Sequence, residues 1–140
     1  MPKTTKPDVL ALLICEGVIE DSRSKNKTIV NTFNRISSKA YPAQHDRLAT
    51  FLSMTGGHGD YDLKIRVVHA DAAPGEDTLL EAGGQVTFGD PFAVVELTLD
   101  LRGLAVPKPG NYAIQVVIDG DVVKQRRFAA VLLESGGQRQ

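Results

Sequence analysis

The sequence contains one cysteine, Cys15, and no tryptophan among its 140 residues. A single thiol can form neither an intramolecular disulfide nor a multi-cysteine zinc site. A chain of this size that folds without disulfides fits a reducing compartment, so we expect a cytoplasmic protein. Sugar-binding sandwiches stack their ligands on exposed aromatic rings, and a chain without tryptophan lacks the best residue for such a platform.

Strong net charge and long hydrophobic runs are also absent. The net charge is −1, so no overall field attracts nucleic acid or acidic membranes. No run approaches the roughly 18 apolar residues of a membrane span. Residues 9–14 follow Lys3 and Lys6 and precede Cys15, as in a lipoprotein signal, but Ile14 stands where cleavage needs a small residue. We therefore predict that this run is a strand with Cys15 buried, and that the protein binds neither nucleic acid nor membrane.

Gly, Pro, Asn and Asp divide the chain into short apolar runs, and none keeps a helical period beyond about two turns. Predicted strands lie at 9–14, 28–36, 48–54, 61–67, 78–88 and 92–101, followed by two more in a C-terminal hairpin. This pattern predicts an all-β fold, a single-domain immunoglobulin-like antiparallel β-sandwich of seven or eight strands over residues 9–133. Residues 1–8 are predicted to be loose, and residues 134–140 to form a disordered tail.

Residues 109–133 predict the C-terminal hairpin, whose first arm buries every second residue: Tyr112, Ile114 and Val116. Asp119-Gly120 supplies the turn with positive φ. In regular register the second arm would bury Arg127 and expose Phe128, and burying an unpaired arginine costs several kcal/mol. We therefore predict a β-bulge between Lys124 and Arg127 that turns Arg127 outward and Phe128 inward.

Two glycine-rich stretches have local interpretations. Gly56–Asp60 predicts a tight hairpin turn, because it lacks the lysine and the following helix of a phosphate loop. Gly83-Gly84 predicts a bulge or bend within the strand at 78–88. Alternation along the strands predicts these core residues: Leu63, Ile65, Val67, Val95, Leu97, Leu99, Ile114 and Val116.

Several short motifs are similar to those of a known family. They are ALLICEGV at 11–18, NKTIVNTF at 26–33, Tyr41-Pro42, PGNY at 109–112 and the Asp119-Gly120 turn. Together they resemble an uncharacterised bacterial family, a domain of unknown function with an immunoglobulin-like sandwich. The likeness covers about residues 11–131. It implies a fold and a bacterial source, but no activity, cofactor or catalytic residue.

Each histidine has an aspartate nearby in sequence: His45 with Asp46, His58 with Asp60, and His69 with Asp71. Imidazole and carboxylate groups suit zinc or iron. However, the histidines lack ligand spacing, and His69 continues the buried phase of its strand, so we assign no metal site and no cofactor. The loop at His58 and Asp60 is kept as the candidate ligand or partner loop.

No nucleophile can be assigned. The sequence has no Gly-x-Ser-x-Gly motif, and an apolar run around Cys15 lowers thiol reactivity. Lys124, Arg126 and Arg127 lack the exposed aromatic residues of a nucleic-acid site and are predicted to form a solvated strand face.

Two functional hypotheses follow. The first is a non-catalytic protein-interaction or assembly module in the bacterial cytoplasm, with an unknown protein partner. The alternative is a small metal-dependent or small-molecule-binding enzyme that uses the loop around His58 and Asp60. We also consider a homodimer, since the edges of a sandwich invite pairing.

Overall fold

The computed structural model of the chain describes residues 6–70 and 78–133. Those residues form β1 (Asp8–Glu20), β2 (Lys27–Thr32), β3 (Arg35–Ser38), β4 (Ala43–Thr55), β5 (Gly59–His69), β6 (Thr78–Phe88), β7 (Val94–Val106), β8 (Gly110–Ile118) and β9 (Asp121–Leu132). The all-β prediction is confirmed. Residues 1–5 and the predicted tail at 134–140 lie outside the described residues. Within the described part, no helix is long and apolar enough to cross a membrane.

The strands belong to two sheets, with the orders β2-β1-β4-β7 and β3-β9-β8-β5-β6. The described residues thus form nine strands rather than the expected seven or eight. The expectation of purely antiparallel pairing is wrong in one place, because β3 pairs with β9 in parallel. One apolar face from each sheet contributes to a single hydrophobic core.

The predicted core residues divide into two groups. Buried as predicted are Leu63, Ile65, Val67, Ile114 and Val116. Only half-buried, although packed against the core, are Val95, Leu97 and Leu99. β7 is the last strand of its sheet, so no neighbour covers one of its sides. The exposure is confined to the first half of the strand, because Leu101, Leu104 and Val106 are buried.

The predicted strand at 28–36 is two strands, β2 and β3. At their junction the Phe33 N–H donates to the carbonyl of Ile14 in β1, at 3.1 Å. The Ala129 N–H of β9 then donates to the carbonyl of Asn34, at 2.9 Å. Consecutive residues therefore bond to different sheets. A β-branched run favours extended backbone, but it does not show that the chain changes sheets within the run.

The C-terminal hairpin is confirmed as an antiparallel pair of β8 and β9. Asp119 and Gly120 have φ values of 48° and 89°, which is the conformation of a two-residue turn with both central residues at positive φ. A bulge is present in the last strand but nearer the turn than predicted. Val117 pairs with Val122 and Val116 pairs with Lys124, so that Val123 is the extra residue.

The glycine-rich stretch after β4 is not a hairpin turn, and that prediction is wrong. It carries the chain from β4 in the first sheet to β5 in the second. The Gly56 N–H donates to the carbonyl of Pro91 at 3.0 Å, and the His58 N–H donates to the Tyr61 hydroxyl at 3.0 Å. Glycine-rich turns look alike in sequence whether the next strand pairs with the previous one or joins another sheet.

The predicted irregularity at Gly83-Gly84 is also misplaced. These glycines stay in regular register opposite Lys64 and Leu63, and the register shift of the β5–β6 pair lies at Leu79. A side chain on Gly83 would place its Cβ 2.5 Å from the Leu63 carbonyl oxygen. Glycine is required there by the close approach of the neighbouring backbone rather than by a bulge.

The hairpin of β1 and β2 lies across the outer face of the first sheet. Lys27 pairs with Glu20, whereas Glu96 of β7 is level with Ala11 of β1. In a flat sheet these positions would be more than about 30 Å apart. The Lys27 ammonium nevertheless lies 3.1 Å from the Glu96 carboxylate. The hairpin must therefore bend over the sheet, which accounts for the burial of outer-face residues such as Phe51.

Candidate interaction edge

His58 and Asp60, the predicted loop residues, do not converge on a further ligand. His58 is exposed, and Asp60 Oδ1 accepts a hydrogen bond of 2.6 Å from the Thr87 hydroxyl. Within residues 6–70 and 78–133, no three His, Cys, Asp or Glu side chains are grouped so that they could hold a metal ion. The pair remains a surface feature at the start of β5.

The other two histidines lie apart from this loop and contact aromatic rings. The His45 ring lies 5.7 Å from that of Phe33, and the His69 ring meets Tyr112 edge-to-face at 5.0 Å. His69 is the last residue of β5 and is half-buried. Asp71 and the side chain of Asp46 lie outside the described residues.

Cys15 is fully buried, as predicted. Its thiol lies 3.7 Å from the Ala49 carbonyl oxygen. Burial raises the pKa of the Cys15 thiol above its ordinary value, because the thiolate would lose its hydration. The native protein therefore holds this group as an unreactive thiol.

The basic residues of β9 do not share one solvated face. Lys124 and Arg127 are exposed and Phe128 is buried, so the predicted orientations of Arg127 and Phe128 are correct. Arg126 pairs with Ile114, on the core-facing side. It reaches the first sheet, where its guanidinium donates to the Leu12 carbonyl at 3.4 Å, and it donates to Asn34 Oδ1 at 2.8 Å. The prediction of one solvated face failed because the bulge lies at Val123, before Lys124. The alternation of inward and outward side chains in β9 therefore shifts earlier than predicted.

Several shallow concavities interrupt the described surface. One of about 470 Å³ lies beside Gly83 and Gly84, between β5 and β6, and another of about 490 Å³ lies between Pro7 and Val123. Neither of these is lined by a histidine or by the cysteine, so neither presents a nucleophile beside an imidazole base. A smaller one of about 180 Å³ is lined by Ser37 and His45 among others.

The free edge of β7 is one of two long, regular backbone edges among the described strands. From Val94 to Arg102, β7 pairs with β4 in unbroken register, and no described strand pairs with its other side. By contrast, β2 spans 6 residues and β3 spans 4. β6, the edge strand of the other sheet, has a register shift at Leu79 and then pairs regularly from Leu80 to Phe88, a run as long as Val94–Arg102. We call the segment Val94–Arg102 the β7 edge.

Apolar surface accompanies the β7 edge. Its core-facing side chains, Val95, Leu97 and Leu99, are half-exposed. At the beginning of the edge, Phe92 is 92% exposed and Val94 is 56% exposed. Apolar groups collected beside a free backbone edge are typical of an association surface.

Charged residues occupy the opposite, outward side of the β7 edge. Asp100 pairs with Arg47, whose guanidinium donates at 3.1 Å. Glu96 pairs with Lys27 at 3.1 Å. The Arg102 side chain is 68% exposed and lies 3.9 Å from Asp100. The charged groups of Glu96 and Arg102, at the two ends of this outward-facing row of side chains, therefore remain accessible.

The β7 edge was missed by sequence reasoning, although its strand was not. Alternation placed Val95, Leu97 and Leu99 on the core-facing side, which leaves the exposed Glu96, Thr98 and Asp100 on the outward side. It also extended the strand to Phe92, which instead lies exposed before β7 begins at Val94. Nothing in the alternation distinguishes an edge strand from a central one.

Comparisons with known proteins give one family and a distant structural neighbour. A protein-family model described as "Family of unknown function (DUF6941)" matches residues 10–131. No curated protein matches the chain. The crystal structure of the PmoD soluble domain from Methylocystis sp. ATCC 49242 (Rockwell) is 14% identical and has a TM-score of 0.38, with 89% of this chain and 97% of that chain covered. A structural similarity this low carries no argument about this chain.

Proposed function

Because the chain belongs to the family of unknown function DUF6941, whose description names no activity, we propose its function from the geometry, as a non-catalytic protein-interaction or assembly module. The observation that carries the proposal is the β7 edge, an unbroken strand from Val94 to Arg102 with a free side. Partners add an extended segment to such edges. Main-chain hydrogen bonds then provide affinity, and alternate side chains provide specificity.

The β7 edge lacks two of the usual protections of a solvent-facing edge. Proteins blunt such edges with prolines, bulges or charged side chains. No proline or register shift interrupts Val94–Arg102. Two of its charges, Glu96 and Asp100, are matched by Lys27 and Arg47 of the same chain. This edge is therefore suited to receive a partner strand.

The immunoglobulin-like form of the sandwich belongs to the same proposal and is supported by strand order. The orders β1-β4-β7 and β9-β8-β5-β6 correspond to strands A-B-E and G-F-C-C′ of that architecture. Tyr112, near the start of β8, donates its hydroxyl to the Lys108 carbonyl at 2.6 Å. This contact has the form of the tyrosine corner at the start of strand F.

The same correspondence accounts for the free edge. In the constant-type sandwich, strand D lies beside strand E and covers its edge. Here residues 89–93 alone connect β6 to β7, and they are too few to supply that strand. β7, at the position of strand E, is left without a neighbour. An experimental structure in which another strand of the same chain paired with β7 would contradict this account.

Affinity purification from the native host, with three baits compared quantitatively by mass spectrometry, tests the interaction function. The baits are the native protein, Val94→Lys at the β7 edge, and Val122→Lys as the matched control. Val94 and Val122 are 56% and 49% exposed strand valines, but Val122 lies on β9 in the other sheet. We expect at least one protein to be retained by the native and control baits and depleted about tenfold by Val94→Lys. Identical retained sets from all three folded baits would overturn the assignment.

The alternative, a metal-dependent or small-molecule-binding enzyme, depends on the loop around His58 and Asp60. Thermal-shift measurements with zinc, manganese, iron and magnesium, together with elemental analysis, separate it from the interaction module. Stoichiometric metal, or a metal-dependent stabilisation abolished by His58→Ala, would support the enzyme. His58 is exposed, so the variant should leave the fold intact.

Residence in the bacterial cytoplasm is also part of the proposal. It is supported by a composition with one cysteine, whose thiol is buried in the sheet, since a fold without disulfides needs no oxidising compartment. Fractionation of host cells with an antibody to the protein would test it, and recovery outside the cytoplasmic fraction would refute it.

A further inference from the structure

We propose that the β7 edge binds the β7 edge of a second copy of the chain, antiparallel and with the two-fold axis at Leu99. This inference rests on the β7 edge as the interaction site of the proposed function, and it names the partner. The segment Glu96-Leu97-Thr98-Leu99-Asp100-Leu101-Arg102 is self-complementary about its central residue. Pairing would join the two four-stranded sheets of the two copies into one continuous sheet.

Opposite residues in an antiparallel pair lie on the same face of the sheet. With the axis at Leu99, Glu96 of one copy is opposite Arg102 of the second. Thr98 is then opposite Asp100, and Leu97 is opposite Leu101 on the core-facing side. Each of these pairs occurs twice by symmetry. Two opposite-charge pairs therefore lie on the outward face of the joined sheet, and leucine pairs lie on the core-facing side.

The charges that form these pairs are accessible in the single chain. The Arg102 side chain is 68% exposed, and its nearest carboxylate partner, Asp100, is 3.9 Å away and already bonded by Arg47. The Glu96 side chain is 41% exposed while it contacts Lys27, and a carboxylate accepts more than one donor. Arg102 thus reaches Glu96 of the second copy without breaking a strong contact within its own chain.

The neighbouring registers with the axis at Thr98, Asp100 or Leu101 are less favourable, the first two on charge and the third on backbone conformation. The inward faces of the two copies must lie on the same side of the joined sheet. The two-fold axis must therefore pass through a residue, and the alternative registers differ in which residue that is. With the axis at Thr98, Glu96 faces Asp100 twice. With the axis at Asp100, the two Asp100 carboxylates face each other. An axis at Leu101 pairs Asp100 with Arg102 but extends the ladder through Gly103, whose φ of 71° is not that of an extended strand.

Sedimentation equilibrium of the full chain over a concentration series up to about 100 µM tests the association. We expect the native protein to dimerise reversibly. Glu96→Arg and Arg102→Glu should each weaken dimerisation about tenfold, because each places two like-charge pairs across the axis. The double variant Glu96→Arg/Arg102→Glu should recover it to within about threefold, since opposite charges again face each other.

Three outcomes would overturn the inference: a monomeric native protein at about 100 µM, single variants that dimerise as well as the native protein, or a double variant as weak as the single ones. Circular dichroism melting curves establish that each variant is folded. Lys27→Gln is the control for the contact of Glu96 within the chain. It should leave dimerisation unchanged, whereas a loss equal to that of Glu96→Arg would assign the effect to the β1–β2 hairpin.

Disulfide formation tests the register without depending on charge. Directly opposite residues have Cα atoms about 4.5–5.5 Å apart, within reach of a disulfide. Leu99→Cys should therefore cross-link two copies under mild oxidation. Leu97→Cys, equally half-exposed, is the matched control, because the two copies of position 97 are offset by about 13 Å along the strands. Equal cross-linking of both variants, or cross-linking of Leu97→Cys alone, would reject the axis at Leu99.

The two proposals fail in different ways. A monomer that still loses a host partner in Val94→Lys would reject self-association and keep the interaction module. A dimer disrupted by the charge variants, with identical host partners for all baits, would support self-association and reject an additional partner at this edge. Val94 lies outside the seven-residue paired segment from Glu96 to Arg102, so the two sets of variants report on separate contacts.

Discussion

Replacement of Gly57 by alanine tests whether the crossover between the sheets is held by close packing. Gly57 is buried, and a Cβ there would lie 2.7 Å from Cδ1 of Phe88, 2.8 Å from Cγ and 2.9 Å from Cε1. Carbon atoms prefer separations of about 3.5–4.0 Å, so the ring must move by about 1 Å. Phe88 is 2% exposed and meets Tyr61 edge-to-face at 5.6 Å, so little space is available for that movement.

The size of the effect follows from two opposing contributions. Overpacking a filled core costs about 1–3 kcal/mol. Alanine also restricts the unfolded chain, which stabilises the protein by about 0.4–1 kcal/mol where the backbone tolerates it. The φ of Gly57 lies outside the left-handed region, so this gain applies. We expect Gly57→Ala to lower the free energy of unfolding by about 1–2 kcal/mol, and the melting temperature by about 3–6 °C for a chain of this length.

Thermal and urea unfolding followed by circular dichroism measure this loss. Gly84→Ala is the matched control, since Gly84 is exposed and a Cβ there meets nothing within 4 Å. It should change stability by no more than about 0.5 kcal/mol. If the overlap with the ring is the cause, Gly57→Ala should cost less in a Phe88→Leu background than in the native protein. A stable Gly57→Ala, or an equal cost in both backgrounds, would refute the packing explanation.

Three further predictions concern buried groups. Cys15 should resist a thiol reagent at pH 8 until urea unfolds the chain, and stoichiometric labelling of the native protein would contradict its burial. Burial raises the pKa of the Tyr112 phenol above 10.0. The neutral phenol therefore contributes its full share of folding stability below that pH, and this share is lost as pH rises through the folded-state pKa. Alkaline titration of stability should therefore weaken the native protein more than Tyr112→Phe, and parallel curves would argue against this. Arg126→Ala should lose about 1–2 kcal/mol in urea unfolding, whereas Arg127→Ala should change little, and equal losses would contradict the observed phase of β9.

Local features of the chain were predictable from sequence because they depend on neighbouring residues. Alternation located the strand at 61–67 and its buried face, since side chains of a strand point alternately to opposite sides. The turn at Asp119-Gly120 followed from the positive φ that these residues tolerate. The burial of Cys15 followed from its apolar surroundings. Part of the candidate site was visible in the same way, namely the outward charges Glu96 and Asp100.

The tertiary structure alone decided which strands are neighbours, and with it the site. Period-two alternation shows that one face is buried but carries no information on which strand lies beside which. The division of 28–36 between two sheets, the crossover at Gly57 and the core-facing side of Arg126 all depend on contacts between distant segments. The β7 edge is free for the same reason, because no strand of the described chain is placed beside it. Strand formation is a local property of the sequence, whereas a free edge is a property of the assembled sheet.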